Sequence, residues 1–384
     1  MATTGTKSKR LGTARRSKKD EFYTQWLDVE REMNAYTEFN PDVFRGKTLL
    51  LPCDDPEWSN FTKFFALHFA TFGLKKLIST SYAADSHPAG EFYRPTLFET
   101  EDPQYDEAKT RVLGKKFVLD AEDHNGDGVI NIDDLQWEYL EGDGDFLSDE
   151  VTALRDEADF VITNPPFSLF PAFVHWLFEG EVKFSIIGHQ NSVTYTDLFP
   201  FVKSNKMWLG KGFPRNIAHF HSPYEPSKWT EQDEPNVVRV SGISWYTNID
   251  HGRRHEELRL MTVADNKKFS KHSDVRGVGY KKYDNLDALH VRHTDSIPSD
   301  WHGLMGVPIT YMNKHNPDQF EIVGSFNAGA HGTELGAKKM EIPTSNGKTS
   351  MWNGPIVDGI PVYKRLVIRH KNPASPAATE EALS

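Results

Sequence analysis

Short apolar runs separated by helical or loop-like segments constrain this chain more than any other feature. They fall at residues 48–51, 76–80, 117–119, 160–163, 184–187, 207–209 and 243–246. Each is too short for a core helix and is bounded by turn-forming residues, as Gly46 and Pro52 bound the first. Between the first two, Trp58, Phe61, Phe64, Phe65, Leu67, His68 and Phe69 recur at helical spacing, and Gly73 offers a helix stop. Strands alternating with helices predict an α/β fold: a mixed, mainly parallel seven-stranded sheet with helices on both faces, spanning about residues 20–250. Ligands of such sheets bind beyond the carboxyl ends of the strands, so the residues that follow each run are the first candidates for chemistry. No internal repeat is evident.

The sharpest of these junctions is Asp159-Phe160-Val161-Ile162-Thr163-Asn164-Pro165-Pro166-Phe167, an apolar strand that runs into Asn-Pro-Pro-aromatic. These residue types suit transfer of a methyl group to an exocyclic amine. Such a nitrogen is a poor nucleophile because its lone pair is delocalised into the ring. An Asn164 side-chain oxygen and a backbone carbonyl such as that of Pro165 can accept its two N–H bonds and turn the lone pair toward a methyl donor. Pro165 and Pro166 restrict φ, so the acceptors are preorganised, and Phe167 can stack on an extruded base. An activated donor methyl requires no enzyme nucleophile, and orientation carries most of the catalysis. A plain turn after a strand would also use Asn-Pro-Pro-Phe; its place after an apolar, acid-led strand favours the chemical reading.

Beyond this tetrapeptide, the chain resembles the EcoRI-type family of adenine-specific DNA methyltransferases over roughly residues 19–370. The resemblance is carried by KKDEFYTQWLDVEREM (18–33), LLPCDDPEWSNFTKFFALHF (50–69), YLEGDGDFLSDE (139–150), DFVITNPPFSLF (159–170), FSIIGHQNSVTY (184–195), ISWYTNIDH (243–251) and MGVPITYMNKHNPDQFEIVG (305–324), in that order. It implies a Rossmann-like class I methyltransferase core, S-adenosylmethionine as donor and duplex DNA as substrate. Asn164, Pro165, Pro166 and Phe167 match the catalytic motif. Phe22, Tyr23 and Thr24 look like the motif that packs on the methionine part of the donor. Pro52, Cys53, Asp54, Asp55 and Pro56 stand where such enzymes cradle it, and Asp143 and Asp145 resemble the acids facing its adenine. Trp245 or Tyr246 is expected to wall the flipped base. Two departures stand out. The first loop has no Gly-x-Gly, and the second strand ends in Ser79-Thr80-Ser81 without an acid for the ribose, leaving Asp54, Asp55 or Asp85 as substitutes.

Residues 123–134 carry a separate pattern, Asp-His-Asn-Gly-Asp-Gly-Val-Ile-Asn-Ile-Asp-Asp. Asp123, Asn125, Asp127, Asn131 and Asp134 place side-chain oxygens at calcium-loop positions 1, 3, 5, 9 and 12. Gly128 takes the sharp turn at position 6 and Val129 offers a carbonyl at position 7. Position 12 is Asp rather than the bidentate Glu, as in dockerin-like loops. A structural calcium ion and a solvated acidic connector both fit these residues. Neither calls for a part in methyl transfer.

Net charge is −11, which argues against indiscriminate nucleic-acid binding, yet basic residues are clustered. Residues 1–19 hold seven Lys and Arg and no acid, and are expected to be a disordered tail, as are residues 372–384. Lys267, Lys268, Lys271 and Arg276 head a basic stretch that runs to Lys282 with Asp274 as its acid, the better candidate for DNA contact. Residues 251–371 are therefore expected to form the DNA-recognition region. The lone Cys53 excludes an internal disulfide and any multi-cysteine zinc site. Its Pro-Cys context follows the first strand, the wrong place for a cytosine-C5 nucleophile. No His-Glu-x-x-His helix occurs, and His251, His255, His290 and His293 read as scattered surface residues. With no apolar run near the ~18–20 residues of a membrane span, a cytoplasmic monomer is expected, with a restriction endonuclease as its implied companion system but not a direct contact. Rival readings are a methyltransferase acting on RNA adenine, cytosine N4 or protein glutamine, and a non-catalytic DNA- or calcium-binding protein on the same scaffold.

Overall fold

A computed structural model of the protein describes residues 23–52, 54, 56, 59–83, 102–221, 231–234, 237–343 and 348–375. These form two compact units. The first takes the described residues up to His189 together with Leu209–His251; the second takes Gln190–Trp208 and the described residues from Gly252 onward. Residues 190–208 thus leave the expected 20–250 range and cluster with the C-terminal unit.

The first unit is built on a mixed sheet of eight strands rather than seven. In chain order they are β1 (Thr48–Leu51), β2 (Lys76–Ser81), β3 (Lys115–Leu119), β4 (Gln136–Tyr139), β5 (Phe160–Thr163), β6 (Lys183–His189), β7 (Trp208–Leu209) and β8 (Ile243–Thr247). Their order across the sheet is β4-β3-β2-β1-β5-β6-β8-β7. The central four are parallel, with Leu49 opposite Leu77 on one side and Phe160 on the other. Strands β3 and β8 run antiparallel to their neighbours β2 and β6, and β4 turns back on β3. All four residues of β1 and of β5 are buried, which explains why the central strands are continuous apolar runs: both faces are covered. Strand β4 reads Gln-Trp-Glu-Tyr with alternating exposure, a half-exposed edge without an apolar run to announce it.

Helix α1 (Trp26–Phe39) buries Val29, Met33 and Tyr36, and helix α2 (Asn60–Leu67) buries Phe61, Phe64 and Phe65 into the same core. Helix α2 starts at the Ser59 cap, whose side chain accepts from the Phe61 amide, and a further helical turn stops at Gly73 in the left-handed conformation, φ 63°. Leu67, expected on the apolar face, points outward and is 64% exposed. Phe44 packs edge-on against both Phe65 and Phe160, joining helix to sheet. Asp159 heads β5: its carboxylate accepts from Lys47 Nζ and the Thr48 amide, both at 2.9 Å. Partial burial raises its pKa, but Lys47 and that amide outweigh burial and hold it below the usual range. A second, antiparallel sheet pairs Tyr23–Thr24 with Ile217–His221, followed by Val237–Ser241 and Glu231–Glu234.

The second unit centres on a five-stranded sheet ordered Lys281–Lys282, Ala288–His290, Leu304–Pro308, Arg365–His370, Phe320–Phe326. Tyr283, Phe326 and Val367 lie in its apolar core. No helix among the described residues is long and apolar enough to cross a membrane.

Candidate active site

Parallel pairing of β1 with β5 brings two strand ends, and therefore two loops, side by side. One hydrogen bond ties them: the buried Thr163 hydroxyl donates to the Pro52 carbonyl at 2.9 Å. Immediately beyond lie Asn164, half-buried, then Pro165, buried, and Pro166, half-buried. The Leu169 amide donates to the Pro166 carbonyl at 2.9 Å, closing a 3-10 turn over Phe167–Leu169 that leads into helix α4 (Phe170–Glu179, with α3 at Asp149–Glu157). The prolines occupy positions where no amide is needed, so the turn costs no ladder bond. The half-buried Phe167 ring meets Phe220 edge to face, with centroids 6.3 Å apart at 70°.

Phe220 connects this turn to the N-terminal motif. It sits opposite Thr24 in the small sheet, and the Thr24 carbonyl accepts from Asn60 Nδ2 at 2.7 Å. Tyr23, Thr24, the start of α2, Phe220 and Phe167 are thus connected by direct contacts. The loop after β1 is braced inward. Asp54 is buried, with one carboxylate oxygen accepting from the Ser59 hydroxyl at 2.7 Å, while its carbonyl accepts from Thr62 at 3.0 Å and from Ser79. Pro52 and Pro56 are buried beside it. Asp54 therefore acts as a strut of the loop, a role that its place in the chain did not disclose. Phe22, Cys53, Asp55 and Asp85 lie outside the described residues.

A distant acidic segment meets the chain just beyond β2. The Ala83 amide donates to the Asp143 carbonyl at 2.9 Å, and Gly144, at φ 85°, lies so close that a Cβ would stand 2.3 Å from the Ser81 carbonyl oxygen. Only glycine fits there. Asp143 and Asp145 each accept a backbone amide two residues on, from Asp145 and Leu147. Glu150, in α3, accepts the Glu141 and Gly142 amides. Phe146, wholly buried against Phe173 and Trp176, anchors the segment. The two aspartates, half-buried, thus stand at the carboxyl end of β2, next to the loop that follows β1.

Trp245 and Tyr246 need correction as walls for a base. Trp245 packs between Phe61 and Phe213, and Tyr246 packs on Phe170 while donating to the His189 carbonyl at 2.8 Å. Both are buried on opposite faces of β8; they are core residues. Of the basic candidates, Lys267 and Lys268 project from the helix Val263–Phe269, and Lys271 and Arg276 follow it, all exposed. Lys271 pairs with Asp295 at 2.6 Å. Phe269 and Val278, about equally exposed, lie in the same segment, apolar side chains amid cations that charge counting overlooks.

In the acidic loop, Asp123 accepts the Gly126 and Gly128 amides, Asn125 that of Asp127, Asp127 that of Val129, and Asn131 that of Asp133. The buried Asp134 accepts from Asn131, His124 and Asn125, and those amides, Asn131 first, hold its pKa below the carboxylate range. Gly126 and Gly128 both take positive φ, and Ile130 packs toward the main core. The side chains of the loop are thus engaged with its own backbone amides.

Three curated proteins are similar over most of their length. The chain is 37% identical to Type II methyltransferase M.EcoRI of Escherichia coli, across 85% of this chain and 92% of that protein. It is 32% identical to Type II methyltransferase M.MgeORF184P of Mycoplasma genitalium (81% and 84% covered) and 31% identical to Type II methyltransferase M.MpnI of Mycoplasma pneumoniae (81% and 83%). No solved structure matches the chain. A family model described as adenine-specific methyltransferase EcoRI matches residues 10–371. With strand end, Asn-Pro-Pro-Phe turn and acid-bearing loop converging as described, this chain belongs to the EcoRI family of adenine-specific methyltransferases.

Proposed function

We propose that the protein is a DNA methyltransferase that transfers the methyl group of S-adenosylmethionine to the N6 amine of an adenine rotated out of duplex DNA. The observation that carries this reading is the Thr163–Pro52 hydrogen bond, which holds the Asn-Pro-Pro-Phe turn beside the loop where a donor is cradled in this fold. The residues present suit that donor. Thr24, Pro52 and Pro56 offer a packed shelf for its methionine part, and Asp143 and Asp145 supply the carboxylates that the end of β2 lacks. When bound, the donor supplies an already activated methyl.

The chain's own work is to hold the amine. Asn164 Oδ1 and the Pro165 carbonyl accept its two N–H bonds, and Phe167, steadied by Phe220, stacks on the ring. Extruding the base costs a few kcal/mol, offset by contacts to the DNA, for which we assign Lys267, Lys268, Lys271 and Arg276. The calcium-loop-like segment has no part in the transfer.

The test uses purified protein, unmethylated duplex DNA and donor labelled in its methyl group, followed by digestion to nucleosides. Label should appear as N6-methyladenine and fall at least ~100-fold in Asn164→Ala, with donor affinity nearly unchanged. Label in N4-methylcytosine, or none in DNA despite donor binding, would overturn the target assignment. Lost donor binding in Asn164→Ala would overturn the role of that residue.

A further inference from the structure

Five cations of the second unit, Lys271, Lys281, Lys282, Arg292 and Arg369, each pair with a carboxylate. Lys364 does not. It is half-buried and has no carboxylate at ion-pair distance among the described residues. Its ammonium is attended by two aromatic rings instead, 5.9 Å from the centre of Tyr195 and 5.8 Å from that of Tyr363. These rings come from segments far apart in the chain, and the Tyr363 hydroxyl ties them by donating to Asn191 Oδ1 at 3.0 Å. Arg365 Nη1 donates to the carbonyls of Tyr363 and Lys364 at 2.9 and 3.2 Å, curling the backbone that presents both side chains at the head of the strand Arg365–His370. Tyr195 is 40% exposed and Tyr363 58%. All of these residues belong to the second unit.

We propose that Tyr195, Tyr363 and Lys364 grip one strand of the DNA substrate beside the extruded base, Lys364 on a backbone phosphate and the two rings against neighbouring bases, an inference that rests on the DNA methyltransferase reading above. Burial without a counter-ion holds the Lys364 ammonium below the usual lysine range, and an anion from outside relieves that penalty. A free phosphate would use the cation alone and leave both ring faces in water. A nucleic-acid strand uses all three groups, because its phosphates neutralise the lysine and its unstacked bases cover the rings. Extrusion of the target opens the stack and supplies such faces on the nucleotides next to it. The connectivity agrees with that place. Asn191 is two residues past the end of β6, the parallel neighbour of the strand that leads into the Asn-Pro-Pro-Phe turn. This surface is separate in the chain from Lys267, Lys268 and Arg276, which are assigned to phosphates on the strength of exposure and charge.

The experiment measures fluorescence anisotropy of full-length protein on a duplex that it methylates, over a salt series, with S-adenosylhomocysteine present. Lys364→Gln should weaken binding at least about fivefold and make the dependence of log K on log salt shallower by about 0.9. Tyr195→Ala and Tyr363→Ala should each weaken it at least about fivefold with the slope unchanged, since stacking releases no counter-ions. Phe at either position should restore binding. Tyr363→Phe also removes the bond to Asn191, so weak binding by that variant would show a structural bond at work and overturn the stacking role. Thermal denaturation checks that each variant is folded, and donor affinity should be the same in all. Unmodified protein that methylates DNA, with variants that bind as it does, would overturn this surface and leave the methyltransferase reading standing. Unmodified protein that methylates no duplex would overturn both.

Discussion

Thr163 shows how much a single buried hydroxyl can decide. Its bond to the Pro52 carbonyl is the direct link between the turn proposed to hold the amine and the loop proposed to cradle the methyl donor. Thr163→Val keeps the shape of the side chain but leaves a buried carbonyl unpaired, a loss of about 1–3 kcal/mol. Urea denaturation should register that loss, and the KM for S-adenosylmethionine should rise with it. Thr163→Ser should recover most of both, because it keeps the hydroxyl. A Thr163→Val enzyme with unaltered stability and KM would remove this link from the mechanism. At this scale the sequence is partly readable. Asn164 to Phe167 stand out because the tetrapeptide follows an apolar, acid-led strand, whereas Trp245 and Tyr246 mislead because an aromatic pair on a strand looks the same in a core as beside a ligand. Only their neighbours, Phe61 and Phe213 on one face and Phe170 on the other, tell the difference.

Elements are legible in proportion to their burial. Strands β1 and β5, buried on both faces, appear as uninterrupted apolar runs; β4, exposed at alternate residues, is invisible inside an acidic stretch. The same stretch conceals that Asp143 reaches the end of β2, because that depends on its contact with Ala83, far apart in the chain, rather than on local spacing. Gly144 is the hinge of that contact. Its positive φ, and the 2.3 Å that would separate an added Cβ from the Ser81 carbonyl oxygen, are two separate penalties for any side chain. Gly144→Ala should therefore destabilise the protein, by more than the ~1 kcal/mol that a conformationally compatible glycine-to-alanine change gains, and should weaken donor binding more than it lowers the maximal rate at saturating donor. An equal effect on stability from Gly142→Ala, where a Cβ meets nothing within 4 Å, would show that the loop is merely sensitive and that the Gly144 contact is not special.

Across the molecule, charge is divided rather than balanced. A chain of net charge −11 must approach a polyanion through a limited cationic surface. The acidic residues 120–159 belong to the first unit, whereas the exposed Lys267, Lys268 and Arg276 belong to the second. Lys271 contributes less than its charge implies, because Asp295 holds it at 2.6 Å. Exposed Phe269 and Val278 add apolar surface to the same segment, which suits a groove-facing element better than a merely solubilising one. Replacing Lys267, Lys268 and Arg276 by alanine together should weaken binding to duplexes with and without a recognition site. It should also make the dependence of log K on log salt shallower by about 0.9 for each phosphate contact removed. Donor affinity should be untouched, since the residues proposed to hold the donor lie in the other unit. The measurement is fluorescence anisotropy over a salt series with catalytically intact protein. A slope equal to that of the unmodified protein would mean that DNA is held by other cations, and the assignment of residues 251–371 as the recognition region would then need a different surface to support it.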